Sequence, residues 1–169
     1  DLNQGSDPSK GAVEQRSDRA LQGNVYCVRR KKHNQYYQIQ FSTPFASCTE
    51  SEKGAVISWP EGAEKTIYVK LAISFVSTEN AQLNLDAEMP GWDFDAVRAE
   101  ARSEWNNELA KIELVDATEE QKNVFYTHLY FANWHPQLSS DVNGQYRAMS
   151  KPNTHGEVKT DSLGHYTSM

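Results

Sequence analysis

Residues 69–130 read VKLAISFVSTENAQLNLDAEMPGWDFDAVRAEARSEWNNELAKIELVDATEEQKNVFYTHLY, and a change of period within this stretch sets the fold. In the run Lys65 to Val76, Ile67, Val69, Leu71, Ile73 and Phe75 alternate with Tyr68, Lys70, Ala72 and Ser74. Strict alternation puts one set on each face of a strand, and the apolar set is expected to face a core. After Val76 the period becomes helical. Ser77 is a good N-cap for a helix over Thr78–Ala87, and Pro90-Gly91 interrupts the chain soon after it. Asp93 caps a longer helix in which Phe94, Val97, Ala101, Trp105, Leu109 and Ile112 recur every three or four residues. Thr118-Glu119-Glu120-Gln121 is a capping-box pattern opening a third helix, which runs to about Trp134 before Pro136 closes it.

Upstream, Asp1–Gln22 is polar, with Gly5, Pro8 and Gly11 as breakers, and reads as a loop or an irregular entry into a sheet. Asn24–Arg30 and Gln35–Thr43 read as two strands of a hairpin turning at Lys32-His33-Asn34. Pro44 ends the second strand because it cannot donate to a ladder. Short strands are expected at Ala46–Thr49 and Ala55–Trp59. Strands at this spacing indicate an antiparallel β-sandwich or its C-terminal part, and so small a sheet leaves one face to be covered by further sequence. Downstream, Gln137 onward reads as loop, with Asn143-Gly144 as a hairpin turn.

The bulk properties narrow the function. The 169 residues carry a net charge of −6 and a mean hydropathy of −0.74. That charge disfavours a nucleic-acid partner, which needs a basic surface, and the one basic cluster, Arg29 to Lys32, fits a hairpin decoration. No apolar run reaches the roughly 18 residues of a membrane span. The polar start at Asp1, with no initiator Met, and the uncapped end at Met169 read as those of a piece of a longer chain; an intact chain with processed ends is the alternative. Cys27 and Cys48 have no metal-binding spacing, which leaves two buried thiols or, in an exported protein, a disulfide.

Candidate chemistry is sparse. Glu100, Glu104 and Glu108 succeed one another at helical spacing, as a solvated face does, so no catalytic carboxylate is assigned. His128 and His135 lie seven apart where a helical metal pair uses four, and no metal ligand is assigned either. The remaining cluster is Trp134, His135, Asp141, Asn143, Tyr146 and Arg147. An aromatic platform, a guanidinium fork and short polar acceptors are the groups that bind sugars, by stacking on C–H patches and pairing with hydroxyls. The same residues also read as a helix stop and an Asn-Gly hairpin, with Arg147 tied to a nearby carboxylate.

Taken in order, Gln40-Phe41-Ser42-Thr43-Pro44-Phe45, Lys70-Leu71-Ala72-Ile73-Ser74-Phe75-Val76-Ser77, Asn80-Ala81 with Leu85, and Pro90-Gly91-Trp92-Asp93-Phe94-Asp95 resemble glycoside hydrolase family ninety-two. Trp105-Asn106, Phe125-Tyr126-Thr127, Leu129-Tyr130, His135-Pro136 and Asp141 to Arg147 complete the likeness, which covers roughly Gln35 to Arg147. The segments Tyr130–Trp134 and Lys151–Asp161 match only loosely. The resemblance implies exo-acting, calcium-dependent, inverting α-mannosidases, built as a β-sandwich joined by linking helices to an α/α toroid, with the active site at the interface of the two domains. It divides this chain into a sandwich part at 1–76, linker helices at 77–117 and the start of the toroid at 118–169. It places the general acid, general base and calcium ligands beyond Met169, the early sandwich strands before Asp1, and the protein in the periplasm or outside the cell. Mannose-containing glycans are the implied partner, and the isolated chain is expected to be inactive. A stand-alone sugar-binding or structural module is the alternative.

Overall fold

The computed structural model describes residues 11–27, 33–51, 54–148 and 156–167. The order β then α is as expected. The chain divides into two compact units: Asp1–Trp92 with Ser139–His165, and Asp93–Leu138 with Tyr166–Met169.

The first unit is built on an antiparallel sheet of order β1-β2-β3-β6, comprising β1 (Ala12–Gln15), β2 (Ala20–Cys27), β3 (His33–Phe41) and β6 (Val69–Ser74). Two strands thus lie at least partly where the sequence suggested a loop, since β1 and the start of β2 fall within residues 1–22. Their pairing explains it: Val13 faces Gly23 and Gln15 faces Leu21, so a polar strand is held by ladder bonds to an apolar one. His33 and Asn34 belong to β3 and pair with Cys27 and Tyr26, not to a turn. The basic cluster at 29–32 lies outside the described residues. Between β3 and β6, the hairpin β4 (Ser47–Ser51) and β5 (Gly54–Ser58) forms a separate two-stranded sheet.

Both faces of the four-stranded sheet bury residues, and along β6 the more buried face is the polar-looking one. Along β6, Lys70, Ala72 and Ser74 are buried, whereas Val69, Leu71 and Ile73 are 44–56% exposed. The reason is α1 (Thr78–Glu88), which folds back against β6 and β3 and covers the polar-looking set. Its inward positions are Asn80, Ala81, Asn84 and Leu85, at one helical spacing, with Ala81 and Leu85 at most 1% exposed. Lys70 is accommodated there because its ammonium donates to the Met89 carbonyl at the end of α1 (2.7 Å) and lies 4.2 Å over the Trp92 ring. A cation at a helix C-terminus and over an indole is favourable on both counts. Burial nevertheless holds its pKa below the usual lysine value, with the charge of Asp86 pulling the other way.

The opposite face is a concave apolar surface enclosing about 480 Å³, lined by Val13, Val25, Tyr37, Ile39, Leu71 and Ile73 among others. At one end the β4–β5 hairpin closes over it. There Leu21, Phe41 and Phe45 form a buried cluster with Ala55, Ile57, Trp59 and Ile67 packed around it. Phe41 meets Phe45 and Trp59 edge-on, with ring centroids 5.9 and 5.8 Å apart. Cys48 flanks this cluster, and both Cys27 and Cys48 are free and only partly buried. Gly23 is required by close approach: a Cβ there would come within 1.9 Å of the Ala12 carbonyl, to which the Tyr37 hydroxyl donates across the strand (3.0 Å).

The second unit contains α2 (Phe94–Leu109), α3 (Glu119–Ala132) and a short ladder between β7 (Gln137–Leu138) and β10 (Tyr166–Thr167). The expected caps are in place. The Asp93 carboxylate accepts from Ala96 N, and Thr118 and Gln121 form a reciprocal capping box. The α2 helix stops at Leu109, so Ile112 lies beyond it, where its carbonyl takes the Tyr126 hydroxyl (3.0 Å). Trp105 packs on Tyr130 with centroids 4.5 Å apart. No residue of α2 or α3 is buried, although the apolar spacing of both helices is regular. The loop expected from Gln137 onward instead holds four short strands, β7, β8 (Gln145–Arg147), β9 (Val158–Thr160) and β10.

This arrangement is open to two stability measurements. Leu85→Ala, at 1% exposure, is expected to cost about 2–5 kcal/mol in urea unfolding, as a buried leucine does; Leu71→Ala, 53% exposed, should cost under about 1 kcal/mol. Equal losses would mean that the apolar face at Leu71 is covered as fully as the helix face. Burial pushes the Tyr37 phenol from 10 up to about 12. Between those values the folded chain keeps a proton that the unfolded chain releases, so stability falls as pH rises through this window. Tyr37→Phe should flatten that fall relative to the unaltered protein in denaturant titrations at pH 10 to 12.

Candidate functional site: a buried carboxylate clasp

Of the six residues that the sequence groups as a sugar site, Asp141 is the most enclosed, at 8% exposure in the first unit. An ionised carboxylate is costly to bury unless its lone pairs are met by donors. Three side chains supply them. Ser74 Oγ and Asn80 Nδ2 donate to Oδ2, each at 2.7 Å, and Asn84 Nδ2 donates to Oδ1 at 2.8 Å. Asn80 and Asn84 are four apart on α1, which stacks their amides on one face. Ser74 ends β6 with its side chain on that same helix-covered face.

Each of these groups is engaged more than once. Ser74 Oγ also accepts from the backbone N–H groups of Val76 and Ser77, at 2.9 and 3.3 Å. Asn84 donates a second hydrogen bond to the Ile73 carbonyl and accepts one from Val142 N, both at 2.9 Å. Asn80 Nδ2 reaches Gln145 Oε1 (2.9 Å), while its own oxygen accepts from Asn143 Nδ2 (3.3 Å). Ser77, the N-cap of α1, accepts from Asn80 N at 3.2 Å. The cluster therefore joins the end of a strand, the first two turns of a helix and a loop some sixty residues later in the sequence.

The loop is shaped to fit. Gly144 N donates to the Asp141 carbonyl (2.8 Å), and Gln145 N donates to Asn143 Oδ1 (3.0 Å). Gly144 has φ +80°, which favours glycine, and a Cβ there would stand 2.6 Å from the Asp161 carbonyl. The strands β8 and β9 come next as a hairpin in register Gln145 with Thr160 and Arg147 with Val158. Tyr146 stacks on His165, with centroids 3.8 Å apart and planes within 9°. Arg147 points its guanidinium at backbone rather than at the carboxylate expected of it. Nε donates to the Phe75 carbonyl (2.8 Å), Nη2 to Val76 (3.2 Å) and Nη1 to Gly156 (3.0 Å).

Sequence reasoning thus assembled part of this cluster and missed the rest. Asp141, Asn143, Tyr146 and Arg147 share the first unit, and Asp141 and Arg147 grip the same strand-to-helix corner, residues 74–77. Trp134 and His135 belong to the second unit, where Trp134 is 45% exposed and meets Tyr130 and Phe131 edge-on. The partners Ser74, Asn80, Asn84 and Gln145 were not singled out as site residues. The spacing of Asn80 and Asn84 on a helix beside a buried strand was the available signal.

The geometry bears on the chemistry. Asp141 has its oxygens occupied by three neutral donors, so it acts as a structural acceptor. Among the described residues no group of three or more His, Cys, Asp or Glu side chains could hold a metal ion. His128, on α3, is exposed with Nδ1 at 2.7 Å from the Val124 carbonyl. Glu100 and Glu104 are exposed, and Glu108 forms an exposed pair with Lys111 at 2.5 Å. No described helix is long and apolar enough to cross a membrane.

The sequence model of the glycosyl hydrolase family 92 catalytic domain matches residues 80–169, more than half of the chain. No curated protein matches. An α-mannosidase of family 92 from Bacteroides thetaiotaomicron is similar in structure, with a TM-score of 0.77 and 25% identity, over 93% of this chain and 24% of that one. It has also been solved with mannoimidazole bound. The family 92 glycosyl hydrolase ccman5 gives a TM-score of 0.78 at 25% identity, over 94% of this chain and 23% of that one. An inverting mannosidase of the family from Bacteroides thetaiotaomicron VPI-5482, 22% identical with a TM-score of 0.67, shares the fold over 93% of this chain and 24% of its own length. The chain spans about a quarter of the length of these enzymes.

Asp141→Ala is expected to cost about 3 kcal/mol or more, since it strands three buried donors that now bind a charged acceptor. Asn143→Ala, at an exposed position, should cost under about 1 kcal/mol. Comparable losses in chemical denaturation would remove Asp141 from the centre of the cluster. A chain begun at Asn80 would lack Ser74 and the carbonyls of Phe75 and Val76. Amide hydrogen exchange at Val142 and Gln145 should then be fast, whereas slow exchange would show that the loop folds without the strand.

Proposed function

Because the chain belongs to glycosyl hydrolase family 92, we propose that the longer polypeptide containing it removes α-linked mannose from the ends of glycans. The observation that carries this reading is the family match over residues 80–169. Support comes from the 25% identical α-mannosidase that shares the fold and has been solved with mannoimidazole. In this reading residues 1–76 are part of the sandwich domain, 77–117 link, and 118–169 begin the toroid.

The hydrolysis is proposed to invert the anomeric centre. Inversion needs an acid to protonate the departing oxygen and, across the sugar, a base to activate a water. On family grounds both roles are proposed for carboxylates in the rest of the polypeptide. Calcium is proposed for the whole protein on the same family grounds, with its ligands in the rest of the polypeptide. The isolated chain is accordingly proposed to be inactive. Each unit contributes groups suited to sugar: Trp134 and His135 in the second, Asn143 and Tyr146 in the first. Asp141 and Arg147 serve by holding the loop that carries Asn143 and Tyr146. The setting proposed is periplasmic or extracellular, where mannose-containing glycans are met.

The test is an assay of the longer polypeptide and of residues 1–169 side by side on an aryl α-mannoside. The longer protein should release mannose, appearing first as the β-anomer by NMR, and should lose activity on chelation of calcium. The isolated chain should release none. Release of the α-anomer first would overturn inversion alone, whereas no release by the longer protein would overturn the mannosidase reading. In the active protein, Trp134→Ala should raise KM by roughly 3- to 10-fold, the equivalent of one aromatic stacking contact. An unchanged KM would take Trp134 out of the binding surface.

A further inference from the structure

No further inference is drawn: the strongest candidate, the open apolar face of the four-stranded sheet around Val13, Tyr37, Leu71 and Ile73, is a large concave surface, but nothing in the structure shows what covers it.

Discussion

A carboxylate taken out of water must be met by donors, and much of the first unit is arranged around meeting Asp141. The donors come from Ser74 at the end of β6 and from Asn80 and Asn84 on α1, so none of these elements can shift without breaking the others' bonds. A sheet corner and a helix alone would leave the Asn80 amide, one N–H of Asn84 and the Ser74 hydroxyl hydrogen without the acceptor they have here. The loop alone would leave a charge. Arg147 reinforces the arrangement through the carbonyls of Phe75 and Val76, just after Ser74 in the chain. Such a network is worth more for the geometry it fixes than for its net free energy, because each bond replaces one made with water.

The same constraint explains why the strand was legible and the burial of its second face was not. Alternation in Lys65–Val76 identifies a strand from any amphipathic pattern, and β6 is there. The inference that Val69, Leu71 and Ile73 face the core rested on alternation alone, which does not say what the next helix covers. Instead α1 offers Asn80 and Asn84 beside Ala81 and Leu85, and it sits on Lys70, Ala72 and Ser74. Half of its inward face is polar, so its apolar periodicity is weak and its burial could not be read from hydropathy. Caps fared better, because they are local: Ser77, Asp93 and the Thr118–Gln121 box depend on a few adjacent residues. The strands β1 and β7–β10 were lost for the opposite reason, their residues being held by partners distant in sequence.

For the candidate site, the sequence supplied residue types without their assignments. Asp141, Asn143, Tyr146 and Arg147 are hydrogen-bonding and aromatic groups on one loop, which fits sugar recognition and loop architecture equally well. Only the contacts separate the two. Asp141 and Arg147 are taken up by Ser74, the two asparagines and main-chain carbonyls, and Tyr146 has one face against His165. Asn143 retains an exposed position. Trp134, adjacent in the motif, belongs with α3 in the other unit, a division that proximity in sequence conceals.

The family match begins at Asn80, inside α1, yet the physical unit does not begin there. Asn80 binds a loop that is within the match and rests on a helix whose buried face is formed with strands that precede it. Ser74, six residues before the matched region, donates to Asp141 within it at 2.7 Å. A boundary drawn from sequence similarity marks where residues are shared among relatives. A folding boundary lies where few buried contacts cross, and here several cross at once. The residues that hold the 141–147 loop in place are therefore divided between the matched region and the sheet before it. The shape of that loop is a property of the two together.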